Sequence, residues 1–314
     1  MNSEDLDILL ELWHPKSFVA DEKCYHSLKK WLSSGSYLLN DKNPDISIFC
    51  PHLDDLKKCF SLDAFQFSLR TAQTVSEFER STFFLKMTSW SVIKIYYAAF
   101  FAAHAALRFF GRSFSYLESN EISPLTKRCN LECGYNPSLS TGYYLISLDD
   151  KNNLEFKKFS ESHKDLWKNF LDLLKDISVQ SLSLRASDAR RQSLSTKFSD
   201  IADALNDNAV HNFGNFLSQL RNEVNYKSID VAWYPFSRDT PEFQTLMSRA
   251  RGWASCQTML EDPRNLDNRY ERFFATAFLI IDLGLSIAVS YSKQISKPGA
   301  RSKNFSQLIN LCAG

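Results

Sequence analysis

Apolar residues along the chain recur mostly at intervals of three and four, the period of an amphipathic helix. The densest run is SEFERSTFFLKMTSWSVIKIYYAAFFAAHAALRFFG, residues 76–111. Ser76 and Glu79 match a capping box at its start, and Gly111 is placed to end it. Within it Ala98, Ala99, Ala102, Ala103, Ala105 and Ala106 leave room for a close neighbour. Tyr96, Tyr97, Phe100 and Phe101 put bulk around nearly the whole circumference. Such a pattern predicts a helix at the centre of a bundle.

The other segments read less uniformly. Residues 1–75 suggest short helices broken by loops. DEKCYHSLKKWLSSGSYLL is one such helix, with an Asp21 cap and Gly35 near its end, and NPDISIFCPHL is an extended connection. Two β-favouring runs flank DDKNN, which predicts a hairpin at Tyr143–Phe159. HKDLWKNFLDLLKDI is helical, with Leu166, Phe170, Leu173 and Leu174 in register. The Ser-rich SLSLRASDARRQSLSTKFSD, which carries Arg185, Arg190 and Arg191, reads as a linker or a solvent-facing element. Ile201, Leu205, Ala209, Phe213, Phe216, Leu220 and Val224 form one apolar stripe, with a break expected near Gly214. Two further helices are expected in PEFQTLMSRARGWASCQTML and in the run that follows NLDN.

FFATAFLIIDLGLSIAVSYS, residues 273–292, is about as long as a bilayer span, but Asp282 near its middle favours a buried helix. No membrane partner is expected. The fold class is therefore mainly α, a helical bundle with an inserted β-hairpin and loop region. Its expected organisation is an N-terminal helical region at 1–75, a helical domain at 76–296 with an insertion at about 113–198, and a tail at 297–314.

Composition agrees with that class. The 314 residues are 44% apolar and 14% aromatic, with only nine Gly and nine Pro. A formal net charge of +1 supplies no overall field for nucleic acid, so any contact with RNA needs a local site or a surface built by dimerisation. Seven scattered cysteines and an acidic opening, MNSEDLDILLELW, point to a reducing, cytoplasmic setting. CNLEC has no second Cys or His pair at a matching interval, so neither a metal nor another cofactor is expected. There is no Gly-rich phosphate loop, no nucleophile turn and no carboxylate cluster for magnesium.

Candidate chemistry gathers in LSQLRNEVNYKS, residues 217–228. On a helix Arg221 shares a face with Asn225, and Asn222 with Tyr226. Arg221 and Asn225 flank the buried stripe. Together they offer a bidentate cation, two amides and a phenol, groups that suit gripping a phosphodiester and orienting a ribose hydroxyl. The set lacks a group that titrates near neutrality, which general acid–base chemistry normally uses. A structural alternative has Arg221 paired with Glu223 or a neighbouring helix, and Asn225 ending the helix in a left-handed conformation. Of the histidines, His211 lies too far along the same helix to share a phosphate with Arg221 unless the chain breaks near Gly214. His104, on the aromatic helix, is the better candidate for a proton donor.

YYAAFFAAHAAL, residues 96–107, resembles the aromatic-and-alanine helix of the HEPN superfamily, all-helical domains common in prokaryotic toxins and antiviral systems. Phe101 stands where His is usual there, and His104 where a basic residue is usual. Arg221-Asn222-Glu223-Val224-Asn225-Tyr226 is similar to the HEPN motif of Arg, an adjacent polar residue and a His a few positions later. The order of the two motifs also fits. The resemblance implies a HEPN-like helical bundle and a metal-independent endoribonuclease, active as a homodimer whose Arg motifs face one another across a cleft. It implies single-stranded RNA as substrate, and an antitoxin or sensor protein as a further partner. Arg221 would hold the scissile phosphate, Asn222, Asn225 and Tyr226 would position the ribose, and His104 would donate a proton. The motif His has no counterpart, its place falling on Asn225 or Tyr226. A HEPN-like module that binds without cleaving, and an unrelated helical scaffold, are the competing readings.

Overall fold

Helix-period burial governs most of the chain, and strand-period burial one compact region beside it. The computed structural model describes residues 3–9, 12, 27–40, 46–80, 88–206, 213–227, 241–251 and 263–293. Its first half runs α1 (Ser3–Leu9), α2 (Leu28–Ser34), β1 (Leu38–Asn40), β2 (Ser47–Phe49), α3 (Leu53–Arg80), α4 (Thr88–Phe109), β3 (Arg112–Leu117) and α5 (Ser119–Arg128). A π-helical turn at Cys129–Cys133 follows, then β4 (Gly142–Leu148), β5 (Asn153–Phe159), α6 (Ser162–Ser181) and α7 (Asp188–Leu205). The remainder is α8 (Phe216–Tyr226), α9 (Pro241–Arg251), a short 3-10 turn and α10 (Arg269–Lys293). The chain is mainly α.

The expected central helix is central, but it begins later than the capping-box pattern suggested. Ser76 and Glu79 lie in the last turns of α3, a 28-residue helix, in place of the short helices expected before residue 75. The division expected between residues 75 and 76 falls inside that helix. α3 and α4 are antiparallel: Phe65 meets Phe109 at 5.8 Å between ring centroids, Phe67 meets His104 at 4.6 Å, and Glu77 pairs with Lys94 at 3.1 Å. α4 also contacts α6, α8, α10 and β3. All six of its alanines are buried.

The small residues of α4 admit α10. A Cβ placed on Gly284 would lie 2.9 Å from the Cβ of Ala102 and 3.1 Å from its carbonyl oxygen. Backbone atoms therefore meet almost directly, which favours dispersion contact along both helices. The Ser89–Phe109 and Arg269–Lys293 helices are long and apolar enough to cross a membrane by length and composition, but their apolar windows are 72% and 78% buried within the fold. Here they are core helices, and Asp282 accepts a hydrogen bond from the hydroxyl of Ser286.

The hairpin forms where expected, with Tyr143 opposite Phe159 and Leu148 opposite Leu154. Asp149 shapes its turn: one carboxylate oxygen accepts the amides of Lys151 and Asn153, while Asn152 adopts φ +65°. The sheet is larger than the hairpin, five antiparallel strands in the order β1-β2-β5-β4-β3. Its alternation separates two cores. Tyr144, Ile146, Leu148 and Leu154 pack with Trp31 of α2, Phe60 of α3 and Leu125 of α5. Phe114, Tyr143, Leu145 and Phe159 face the main helical core. Strands too short to show a period, β1 and β2, bring residues 38–49 into the same sheet as the hairpin.

Of the two readings of the Ser-rich stretch the solvent-facing element holds and the linker does not: it is mostly helix α7, with Leu194, Phe198 and Ala202 buried and its serines and arginines outward. The apolar stripe breaks as expected: α7 ends at Leu205, and Gly214 at φ +69° precedes α8. A side chain there would also crowd Leu171 and the carbonyl of Trp167 at 3.1 Å. The Asp21 cap and the C-terminal tail lie outside the described residues; α2 is capped by Ser27, which accepts from the amide of Lys30, and ends at Gly35.

Gly284→Ala tests the close approach of α4 and α10. Overpacking against backbone costs about 1–3 kcal/mol, and helix propensity returns about 0.5–1 kcal/mol. Chemical denaturation should therefore show a net loss of stability. Equal or greater stability would mean that the two helices separate without cost.

Candidate functional site

Helix α8 begins after the Gly214 turn and buries Phe216, Leu217, Leu220 and Val224 against the core. That stripe sets the direction of Arg221, which lies half-buried at its edge and reaches across to α4. One guanidinium nitrogen donates to the hydroxyl of Tyr97 at 2.6 Å, and the other terminal nitrogen donates to Oδ1 of Asn222 at 2.8 Å. The guanidinium carbon sits 5.5 Å from the ring centroids of both Tyr96 and Tyr97, within cation–π range. Its Nε is buried without a hydrogen-bond partner. No carboxylate among the described residues pairs with Arg221. Of the structural alternative, the pairing with Glu223 is not made, because Glu223 accepts from Arg269 at 2.6 Å, whereas the contact with a neighbouring helix is made, through Tyr97 of α4.

Beside this cation lies His163, in the first turn of α6. Its Nδ1 is 2.8 Å from the hydroxyl of Tyr96, which also accepts from the indole of Trp167 at 3.1 Å. Tyr96 and Trp167 are buried, His163 is half-buried, and the Arg221 guanidinium lies over the Tyr96 ring. Burial first, and the Arg221 charge second, bring the pKa of His163 down to about 4. The imidazole is therefore neutral near neutral pH, and Nε2 is the ring nitrogen not engaged by Tyr96. Burial likewise keeps the Tyr96 phenol protonated, well above its usual range.

His104 occupies a different environment two turns further along α4. Its ring stacks on Phe67 at 4.6 Å and 13°, and Phe100 stands edge-on to it at 4.7 Å. Arg108 donates to its Nδ1 at 3.2 Å and to its carbonyl at 3.0 Å. Guanidinium offers only donors, so Nδ1 must accept and cannot carry a proton while that bond is made. Burial, followed by the charge of Arg108, places its pKa well below the usual value. His104 is thus a neutral imidazole. Phe100 touches both imidazoles, its ring centroid also lying 4.7 Å from that of His163.

These groups line or adjoin a cleft of about 580 Å³ between α3, α4 and the β3–β4 edge. His163 and Tyr97 line it, as do His104, Arg108, Arg70 and the rings of Phe67, Phe100, Phe114, Tyr116 and Tyr143. Lys29, Arg70 and Arg108 are the cations of its lining, and Asp63 is the carboxylate.

The residues expected from the sequence are thus only partly gathered. Asn222 contacts Arg221 directly. Asn225 is half-buried and Tyr226 is 75% exposed at the end of α8, and among the described residues no hydrogen bond joins either to Arg221. Asn225 stays within the helix, which continues to Tyr226, and so does not end it in a left-handed conformation. His211 lies outside the described residues. His163 was not anticipated, although it had a signal: with Trp167, Phe170 and Leu174 it falls at intervals of four, three and four, in register with the buried stripe of α6. Comparison with family models, with curated proteins and with solved structures finds no match.

The state of His163 has a consequence for folding. Its folded pKa is depressed, so the unfolded chain binds the proton more readily, and stability falls as pH drops from about 6.5 towards about 4. His163→Gln should flatten that part of the acid stability profile relative to wild type. Parallel profiles measured by urea denaturation between pH 7 and 4 would show that the imidazole is not held neutral.

Proposed function

We propose that this chain binds single-stranded RNA by gripping a phosphodiester at Arg221 and cleaves it there without a metal ion. The observation that supports this reading is a half-buried guanidinium, unpaired with any carboxylate among the described residues, held beside a neutral imidazole and a phenol at the rim of an aromatic cleft. A cation in that setting is short of an anion, and a phosphodiester fits the bidentate fork. The HEPN resemblance and its association with prokaryotic defence agree with the choice of substrate. The chain's near-zero net charge agrees with recognition by a local site.

The chemistry follows from the protonation states. Arg221 would hold the non-bridging oxygens and offset their charge. His163, neutral and with Nε2 free of Tyr96, would take the proton from a ribose 2′-hydroxyl. The 2′-oxygen then attacks phosphorus, the bond to the 5′-oxygen breaks, and that oxygen takes a proton from solvent. The products are a 2′,3′-cyclic phosphate and a 5′-hydroxyl. The phosphodiester lies between the two positive groups as the imidazolium forms, which lowers the cost of placing it near Arg221. His104, buried and bonded at Nδ1 by a donor, would serve packing. Binding without cleavage is the second reading, and the absence of a group titrating near neutrality at Arg221 favours it.

Cleavage in EDTA with end-group analysis separates these. Wild type should yield cyclic-phosphate ends. Arg221→Ala should lower the rate by about 10²–10³, and His163→Ala by about 10²–10⁴. The acid limb of kcat/KM should fall near the pKa of about 4 rather than at 6.5, because the base must be unprotonated. Intact RNA that still binds through Arg221 would establish the second reading, and cleavage indifferent to Arg221 would remove the site altogether.

A further inference from the structure

The cleft begins at Tyr97, the phenol that Arg221 contacts, and its far side has a chemistry of its own. Arg108 is 3% exposed, yet its charge meets no carboxylate within ion-pair distance among the described residues. It donates to neutral acceptors, the Nδ1 and carbonyl of His104, the carbonyl of Phe114 and the hydroxyl of Ser115. Its Nε is buried without a partner. Burial lowers its pKa to about 10, with the Asp63 carboxylate opposing that shift and the Arg70 charge adding to it. A second guanidinium approaches the same aromatic ring: Arg108 lies 4.4 Å and Arg70 4.8 Å from the centroid of Phe67. Like charges so placed repel unless an anion joins them.

Lys29 is the third cation of this lining, and Asp63 the single carboxylate. Asp63 accepts the amide of Leu28; burial raises its pKa while the charges of Arg108, Arg70 and Lys29 oppose that rise, so one carboxylate faces three cations. The opposite wall is aromatic. Tyr116 is 42% exposed, its ring 4.9 Å from that of Tyr143, and Tyr143 lies parallel to Phe114 at 5.8 Å. A small inorganic anion would leave these rings unused, and an aliphatic acid would not stack on them. A phosphate carrying a planar heterocycle uses both walls, and the cleft volume of about 580 Å³ falls within the usual range for a small-ligand site.

We propose that the cleft between α3, α4 and the β3–β4 edge binds one nucleoside monophosphate unit, its phosphate at Arg70, Arg108 and Lys29 and its base against Tyr116 and Tyr143. As the unit next to a scissile phosphodiester at Arg221, it rests on the function proposed above. It makes the five-stranded sheet, through β3 and β4, part of substrate recognition. The same chemistry is presented by a nucleotide within an RNA strand and by a free mononucleotide.

The test measures affinity apart from cleavage, using the full chain, a fluorescent all-2′-deoxy oligonucleotide that cannot be cut by 2′-hydroxyl attack, and the four free 5′-monophosphates as competitors. Arg70→Gln and Lys29→Gln lie on accessible parts of the lining and avoid the folding risk of altering Arg108; circular dichroism checks that each is folded. Each should weaken the oligonucleotide about three- to tenfold and lessen the salt dependence, and Tyr116→Ala should weaken it about tenfold. Competition by a monophosphate at the oligonucleotide's own affinity would assign the site to free nucleotide, and much weaker competition would assign it to the strand. Unchanged affinity in both cation variants, no binding of either probe, or inorganic phosphate competing as well as the nucleotides would overturn the proposal. Arg70-dependent binding without RNA cleavage would sink only the ribonuclease, whereas cleavage with affinity indifferent to Arg70 and Lys29 would sink only the cleft.

Discussion

The closeness of α4 to its neighbours is the constraint on which the rest depends. A helix with several neighbours must offer each a different surface, and α4 does so along its length. Ala98, Ala99, Ala102 and Ala103 are buried, and Ala102 admits Gly284 of α10 to backbone contact. At helical spacing on the cleft side stand Tyr97, Phe100, His104 and Arg108, all of which line the cleft. Packing on the first surface holds the second still. A Cβ at Gly284 therefore bears on the position of Tyr97, and through it on Arg221, though neither touches α10's glycine.

Charge is distributed in this region in an unusual way. Arg221 and Arg108 are both drawn inward, both meet aromatic rings, and both donate to neutral acceptors. The nearby imidazoles respond by staying neutral, each more through burial than through the adjacent cation. Holding a guanidinium out of water without an anion is unfavourable, and hydrogen bonds to hydroxyls and carbonyls offset only part of that cost. An anionic ligand would supply the missing term. Burial first, and the adjacent guanidinium second, keep either histidine from acting as an acid.

Much of this was legible in sequence, and the failures have physical causes. The hairpin announced itself through DDKNN between β-favouring runs, and the break before α8 through Gly214, because turn chemistry is local. α7 showed only as a linker or solvent-facing element, since its serines and arginines form a solvated face and leave too few apolar positions to show a period. β1 and β2 have three residues each, too few for alternation to register. α3 was lost among polar residues: Gln66, Arg70 and Gln73 lie on its outer side and dilute its stripe. Arg221 and Asn222 stood out because they sit together in one motif. His163 did not, because its value comes from Tyr96 and Arg221, which only the tertiary fold places beside it. Asn225 and Tyr226 show the converse, since adjacency in the chain did not bring them to the guanidinium.

The direction of Arg221 bears on how the site is completed. In the scheme the HEPN resemblance implies, two copies of the motif face one another and each contributes a cation to a shared cleft. Here the terminal nitrogens of Arg221 are engaged within its own chain, by Tyr97 and Asn222, and its Nε is buried. Turning outward to meet a second copy would give up the 2.6 Å bond to Tyr97 and the contact with two rings. Tyr97, the acceptor of that bond, itself lines the cleft together with His163. Arg221 is thus held by its own chain, while Asn222 and Tyr226 face outward at the exposed end of α8.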